Sequence, residues 1–390
     1  MRGVNPRGRL AVLAVAVLGS AAAAQVARPP VPEKPRPPIT SRDAFAAGKH
    51  RGICYAHAMR PGRGYGSADS EASLRALAAM DVRWISITPF GFQKTNDSVE
   101  IRWGGQRISE SDDRLRAVTA QARALGLKVM LKPHIWLRPP AWPGSINHAT
   151  DAAWAQWFAA YRAFILHYAA LAQDAGMDAF CIGNELQYAS LEDGQWREVI
   201  AGVRKVYAGP ITYGATAEEV TGVPFWDAVD FIGVSAYFPL VAEETPSRAA
   251  LAAAWRPVSD RLRGLSARHG KRVVFTEIGY RSADFAAWRH WEITDAAAVN
   301  LPAQANAYAA FFETVWTEDW MGGAYFWKWF SHPGHSGPDD NDFEFEGKPA
   351  ASIVAAAYRA QAAGGDVRAA VRAAADAVPS RPRSKPPLAP

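Results

Sequence analysis

The sequence predicts an α/β fold: a single (β/α)8 TIM barrel with disordered Pro-rich termini. From about residue 50 onward, eight short β-rich runs alternate with longer Ala-rich stretches of helical period. No G-x-G-x-x-G follows the first run and no G-x-x-x-x-G-K-[ST] occurs anywhere, so a dinucleotide or P-loop site has no support. The alternating part spans about 310 residues, which accommodates a barrel of about 250 residues with insertions.

The runs expected to form strands are 51–57, 83–90, 128–136, 179–186, 210–215, 231–238, 273–280 and 324–330. Each is short, apolar and rich in β-branched or aromatic residues. Helical segments are expected near 68–80, 111–125, 151–175, 195–207, 247–269 and 303–317, with a last one near 349–362 after the eighth run. The stretch 217–229 is the weakest helical pattern. Strands separated by helices pair in parallel through right-handed crossovers. Function in such a barrel sits where strands end and the following loops begin.

The ends read differently. Residues 1–24 have the features of a signal peptide: Arg2, Arg7 and Arg9, an apolar run of nine at 10–18, and small residues before Gln25. The run is too short for a standard membrane span; an uncleaved N-terminal anchor is the alternative. Residues 25–45 are expected to form a Pro-rich linker, 46–362 the (β/α)8 domain, and 363–390 a C-terminal tail. The net charge of +5 is concentrated at these ends: +6 in residues 1–49 and +3 in 363–390 leave a body of −4. A mildly acidic body gives no electrostatic case for nucleic acid as a partner. The expected localisation is periplasmic or secreted, as a monomer with no stable membrane association after cleavage.

Two carboxylates stand at strand ends, Glu185 in the fourth run and Glu277 in the seventh. An unpaired carboxylate is costly in an apolar strand. Each could belong to a buried ion pair; two facing one cavity suit glycosidic bond cleavage. One must be protonated to assist the leaving oxygen and the other ionised to attack the anomeric carbon. A separation of about 5–5.5 Å goes with retention of configuration. Like-charge repulsion keeps one proton on such a pair.

Gly183-Asn184-Glu185 and Thr276-Glu277-Ile278-Gly279-Tyr280 resemble the catalytic pattern of the retaining (β/α)8 glycoside hydrolases of clan A. With Phe326-Trp327-Lys328-Trp329 and Gly347-Lys348-Pro349-Ala350, the chain more narrowly resembles glycoside hydrolase family 113. That family's activity is endo-β-1,4-mannanase. The resemblance implies Glu185 as general acid/base, Glu277 as nucleophile and Asn184 as partner of the sugar 2-hydroxyl. It implies a polysaccharide or oligosaccharide substrate and no cofactor.

Other strand ends supply candidates for substrate binding. Tyr237 either donates to Glu277 or is a core aromatic. Trp327 and Trp329 are expected on one face by alternation, with Trp327 as the floor of the reacting subsite. By the same rule Lys328 points away. Lys132, His134 and Trp136 share one expected face; His134 binds sugar or orients a carboxylate. His57 and Thr88 end the first two strands and are expected at the mouth. Trp136, Trp142, Trp288 and Trp291 fall in or near loops, as suits a polymer chain with several subsites. Cys54 and Cys181 read as separate core residues. The 332–342 loop, with two His and several Asp, is either solvated or a calcium site; no metal is assigned to it. A catalytically silent glycan-binding protein on the same fold is the competing reading.

Overall fold

The computed structural model describes residues 48–57, 62–104, 110–138 and 141–379. The expected signal segment, the 25–45 linker and the Pro-rich end beyond 379 lie outside the described residues, as do Met59 and Arg60 after the first strand.

The barrel strands are β1 (His50–Ala56), β2 (Trp84–Ile87), β4 (Lys128–Leu131), β6 (Ala179–Asn184), β7 (Ile211–Thr216), β8 (Ile232–Ser235), β9 (Val273–Ile278) and β10 (Met321–Phe330). They pair in parallel in that order, and β1 closes the ring against β10. Residues from successive strands, among them Cys54, Trp84, Met130, Val274 and Tyr325, fill its interior. The larger apolar core lies outside, between the strands and the helices.

The second and third expected runs each break in two. Past Pro89 and Pro133 the chain forms β3 (Phe90–Gln93) and β5 (His134–Leu137), a separate two-stranded parallel sheet above the barrel. A proline has no N–H for the ladder. The chains still run side by side across the break: Lys132 N–H donates to Ile87 O at 2.9 Å and His134 N–H to Pro89 O at 3.0 Å.

The outer layer is α1 (Ala68–Ala79), α2 (Asp112–Ala124), α3 (Asp151–Ala175), α4 (Asp193–Val206), α5 (Arg248–His269), α6 (Leu301–Thr314) and α7 (Pro349–Ala362). Hydroxyl or amide N-caps start most of them: Ser67, Ser111, Thr150, Ser247 and Asn300 each accept from a backbone N–H in the first turn. No α-helix forms over 217–229. The fifth unit crosses by turns and a 3-10 turn at Trp226–Ala228; Gly222 and Pro224 interrupt any longer helix. The tail expected from 363 is in part structural. There α8 (Val367–Asp376) buries Val371 fully against α6 and α7. Among the described residues, no helix is long and apolar enough to cross a membrane.

Candidate active site

The open end of the barrel carries a cleft of about 730 Å³. Asn184, Glu185, Tyr237, Glu277, Trp327, His134 and Trp136 all line it. Strand geometry explains the convergence, since β6, β8, β9 and β10 all deliver their C-terminal residues to the same mouth.

Glu277 is 5% exposed. Its Oε1 receives the Lys132 ammonium, and its Oε2 accepts the Tyr237 hydroxyl at 3.0 Å. Lys132 is fully buried and also donates to Thr276 O at 3.2 Å. Burial opposes its charge, but the Glu277 carboxylate outweighs it and holds the Lys132 pKa above its ordinary value. His134 Nε2 lies 3.5 Å from the same Oε1. Burial and the Lys132 charge pull its pKa well down, so the imidazole is neutral.

Glu185 sits in a different environment. Its Oε2 accepts the indole N–H of Trp142 at 3.0 Å. Burial first, then the charge of Glu277, push its pKa up to about 7. The backbone at Glu185 is left-handed, with φ 54°, a conformation that costs a residue with Cβ about 1–3 kcal/mol. The flanking chain holds it there. Glu185 N–H donates to Gly214 O at 2.8 Å. Leu186 N–H donates to the Tyr213 hydroxyl at 2.7 Å, which in turn donates to Glu219 at 2.7 Å. Burial raises the Glu219 carboxyl to about 7 despite hydrogen bonds from Tyr213 and Thr216. Tyr213→Phe leaves the Leu186 N–H and a Glu219 oxygen unsatisfied. Urea unfolding should show a loss of about 1–3 kcal/mol.

Asn184 is oriented by Ser235, whose hydroxyl donates to Asn184 Oδ1 at 3.1 Å. That leaves the amide NH2 as the group available to a ligand. Two glycines make the arrangement possible. A Cβ on Gly214 would meet Asn184 Oδ1 at 2.4 Å, and one on Gly144 would meet the Trp142 ring at 2.1 Å. On the outer wall, Trp136 and Phe92 are cross-strand partners with rings 5.7 Å apart, 41% and 39% exposed.

Several sequence expectations change. Lys132 does not line the cleft with His134 and Trp136. It precedes the Pro133 break, and its ammonium is fully buried against Glu277. His57 does not line the cleft: it lies 3.6 Å from Glu110, and the Phe90 ring contacts the rings of both His57 and His134 at 6.1 and 5.9 Å. Thr88 is likewise buried, its N–H bonded to Tyr65. Trp327 and Trp329 do not share a face. The β1–β10 register passes from Trp327 to Trp329 without pairing Lys328, a bulge that reverses alternation. Trp329 therefore enters the outer core, donating to Ser73 at 2.9 Å, and Lys328 pairs with Asp342 and Glu344 at 3.3 and 3.4 Å.

The 332–342 loop is tied by lysines: Asp342 to Lys328, and Asp340 to the buried Lys348 at 2.7 Å. Among the described residues, no cluster of His, Cys, Asp and Glu has the arrangement to hold a metal ion. Cys54 and Cys181 are buried and separate.

Sequence reading missed Gln187, Ser235, Glu218, His290 and Phe343 on the cleft wall. Ser235 had a signal, two residues before Tyr237 at the end of its strand. His290 had none. It packs against Tyr237 with ring centres 4.5 Å apart and the planes tilted by 42°, and burial then Arg281 lower its pKa to about 4.

The model of Glycoside Hydrolase Family 113 matches residues 53–348. The solved GH113 β-mannanase AaManA from Alicyclobacillus acidocaldarius, in complex with ManMIm, is 33% identical with a TM-score of 0.72, covering 82% of this chain and 99% of that one. A second solved GH113 β-1,4-mannanase is 28% identical with a TM-score of 0.72, covering 80% and 99%. A family 5 mannosidase from Rhizomucor miehei, 10% identical with a TM-score of 0.60 over 87% and 99%, shares the fold alone. No curated protein sequence matches significantly. The family match runs from β1 to the residue before α7 and takes in both carboxylate motifs; the chain belongs to glycoside hydrolase family 113.

Proposed function

We propose that this glycoside hydrolase is a retaining endo-β-1,4-mannanase working by double displacement. The observation that carries the reading is the division of labour between two carboxyl groups in one cleft. Glu277 is paired with a buried ammonium, whereas Glu185 has no cation in contact and a pKa of about 7.

In the first step Glu185 gives its proton to the glycosidic oxygen while Glu277 attacks the anomeric carbon, and the bond to the leaving sugar breaks. The product is a glycosyl ester on Glu277. In the second step the Glu185 carboxylate takes a proton from water as the water oxygen attacks the same carbon, freeing Glu277. Tyr237 and Lys132 orient the attacking carboxylate. The Asn184 NH2 donates to the 2-hydroxyl as positive charge develops, and Trp327 forms the floor beneath the reacting sugar. Mannose as the preferred sugar rests on the family and on the likeness to the two solved β-mannanases. The enzyme acts outside the cytoplasm as a monomer; the basic start and apolar run within residues 1–24 support the location.

The pH profile follows from the acid. Glu185 must hold its proton in the first step, so kcat/KM should fall above about pH 7, approaching tenfold per pH unit. A flat profile to pH 9 would exclude Glu185 as the acid. Substrate is tested by incubating the protein with β-1,4-mannan, glucomannan, galactomannan, xylan and cellulose, and weighing the products. Internal cleavage of mannan into short oligosaccharides supports the reading. Cleavage of xylan or cellulose alone would discard the mannan assignment. Binding without cleavage of any glycan would favour the silent binding protein.

A further inference from the structure

A second cavity of about 520 Å³ lies beside the catalytic cleft, lined by Phe285, Trp288, Arg289, Glu292 and Ile293 among others. Its size falls within the range of about 300–1,000 Å³ typical of small-molecule sites. The two cavities share a wall. In the 3-10 turn His290–Glu292 and the residues beside it, His290 and Trp291 face the cleft while Trp288, Arg289, Glu292 and Ile293 face the second cavity.

We propose that this second cavity is a distal subsite for the same neutral glycan chain that occupies the cleft, with Trp288 as its stacking platform. The inference rests on the proposed glycan hydrolase function. Aromatic rings lead out of the cleft toward it: Tyr237 to His290 at 4.5 Å, then His290 to Trp291 at 5.0 Å, with Trp291 56% exposed at the rim. Beyond that rim the cavity offers what a polyhydroxylated ring needs, a flat apolar face with donors and acceptors fixed around it. Arg289 lies over the Trp288 ring at 5.4 Å and is itself paired with Glu292 at 3.1 Å. Asp284 is held by the Asn300 amide at 2.7 Å. With Asp284 and Glu292 against Arg289, the lining is net acidic, which disfavours an anionic ligand and suits an uncharged one.

Backbone geometry provides an independent sign. Phe285 is 43% exposed and left-handed, with φ 61°. A bulky residue in that region is strained, and such strain clusters at ligand clamps. The loop is preformed: Arg281, 8% exposed, donates to Ile293 O at 2.9 Å and to Asn341 O at 3.1 Å, and Ala283 bridges Val299.

The test uses the full-length protein with Glu277→Gln, titrated calorimetrically with β-1,4-manno-oligosaccharides of six or more units, with and without Trp288→Ala. The proposal expects about tenfold weaker binding on loss of the indole, with Trp288→Phe recovering most of it and mannobiose affinity far less affected. Equal affinity for the long oligosaccharide with and without Trp288, in a protein whose wild type cleaves mannan, would overturn the subsite and spare the function. Equal losses for mannobiose and the long chain would also overturn it, marking Trp288 as structural to the cleft. Trp288-dependent binding in a protein whose wild type cleaves no glycan would keep the subsite and overturn the hydrolase reading.

Discussion

Glu277→Gln should reduce turnover of mannan oligosaccharides by about 10⁴-fold or more, with glycan binding retained. An amide has almost the same shape as the carboxylate and can still accept the Tyr237 hydroxyl, so the cleft keeps its walls. It cannot form the ester that splits the reaction into two steps. Steady-state rates beside equilibrium binding measure both halves of this expectation. Turnover within tenfold of wild type would assign the nucleophile elsewhere. Binding lost with turnover would show that the substitution had deformed the cleft.

Lys132→Met should cost about 3–5 kcal/mol of stability, because it leaves the Glu277 carboxylate buried without its cation. Lys132 is fully buried, so water cannot replace the ammonium without opening the barrel. The double variant Lys132→Met/Glu277→Gln should recover much of the loss, since an amide tolerates an apolar neighbour better than a carboxylate does. Denaturant unfolding of the four proteins gives the coupling directly. Additive losses would mean that the ion pair does not govern the stability of this part of the barrel. The single Lys132 variant should also lose activity, since the ammonium orients the carboxylate proposed to attack.

The barrel was legible because its signal is repeated: eight apolar runs and the helical stretches between them must agree with one another. The two glutamates were legible because a carboxylate at the end of an apolar strand needs a reason. What stayed hidden depended on single local events. Pro89 and Pro133 each cut an apolar run that reads as continuous, and only the paired backbone shows β3 and β5 beyond them. Trp329 was misplaced because one unpaired residue at Lys328 reverses alternation, and period-two patterning carries no mark of a bulge. Lys132 looked like a sugar ligand because its partner lies 145 residues away on the opposite side of the barrel. Trp142 was visible as a loop aromatic, but its bond to Glu185 depends on a turn that Gly144 permits. His290 comes from a loop without periodicity, where nothing local predicts a position in the cleft.

Proton NMR during the first minutes of β-1,4-manno-oligosaccharide hydrolysis tests the central claim most directly. Double displacement through Glu277 predicts that the new reducing end appears as the β-anomer, with the α-anomer growing in only by mutarotation. Initial release of the α-anomer would contradict a glycosyl ester on Glu277 and require a single direct attack by water.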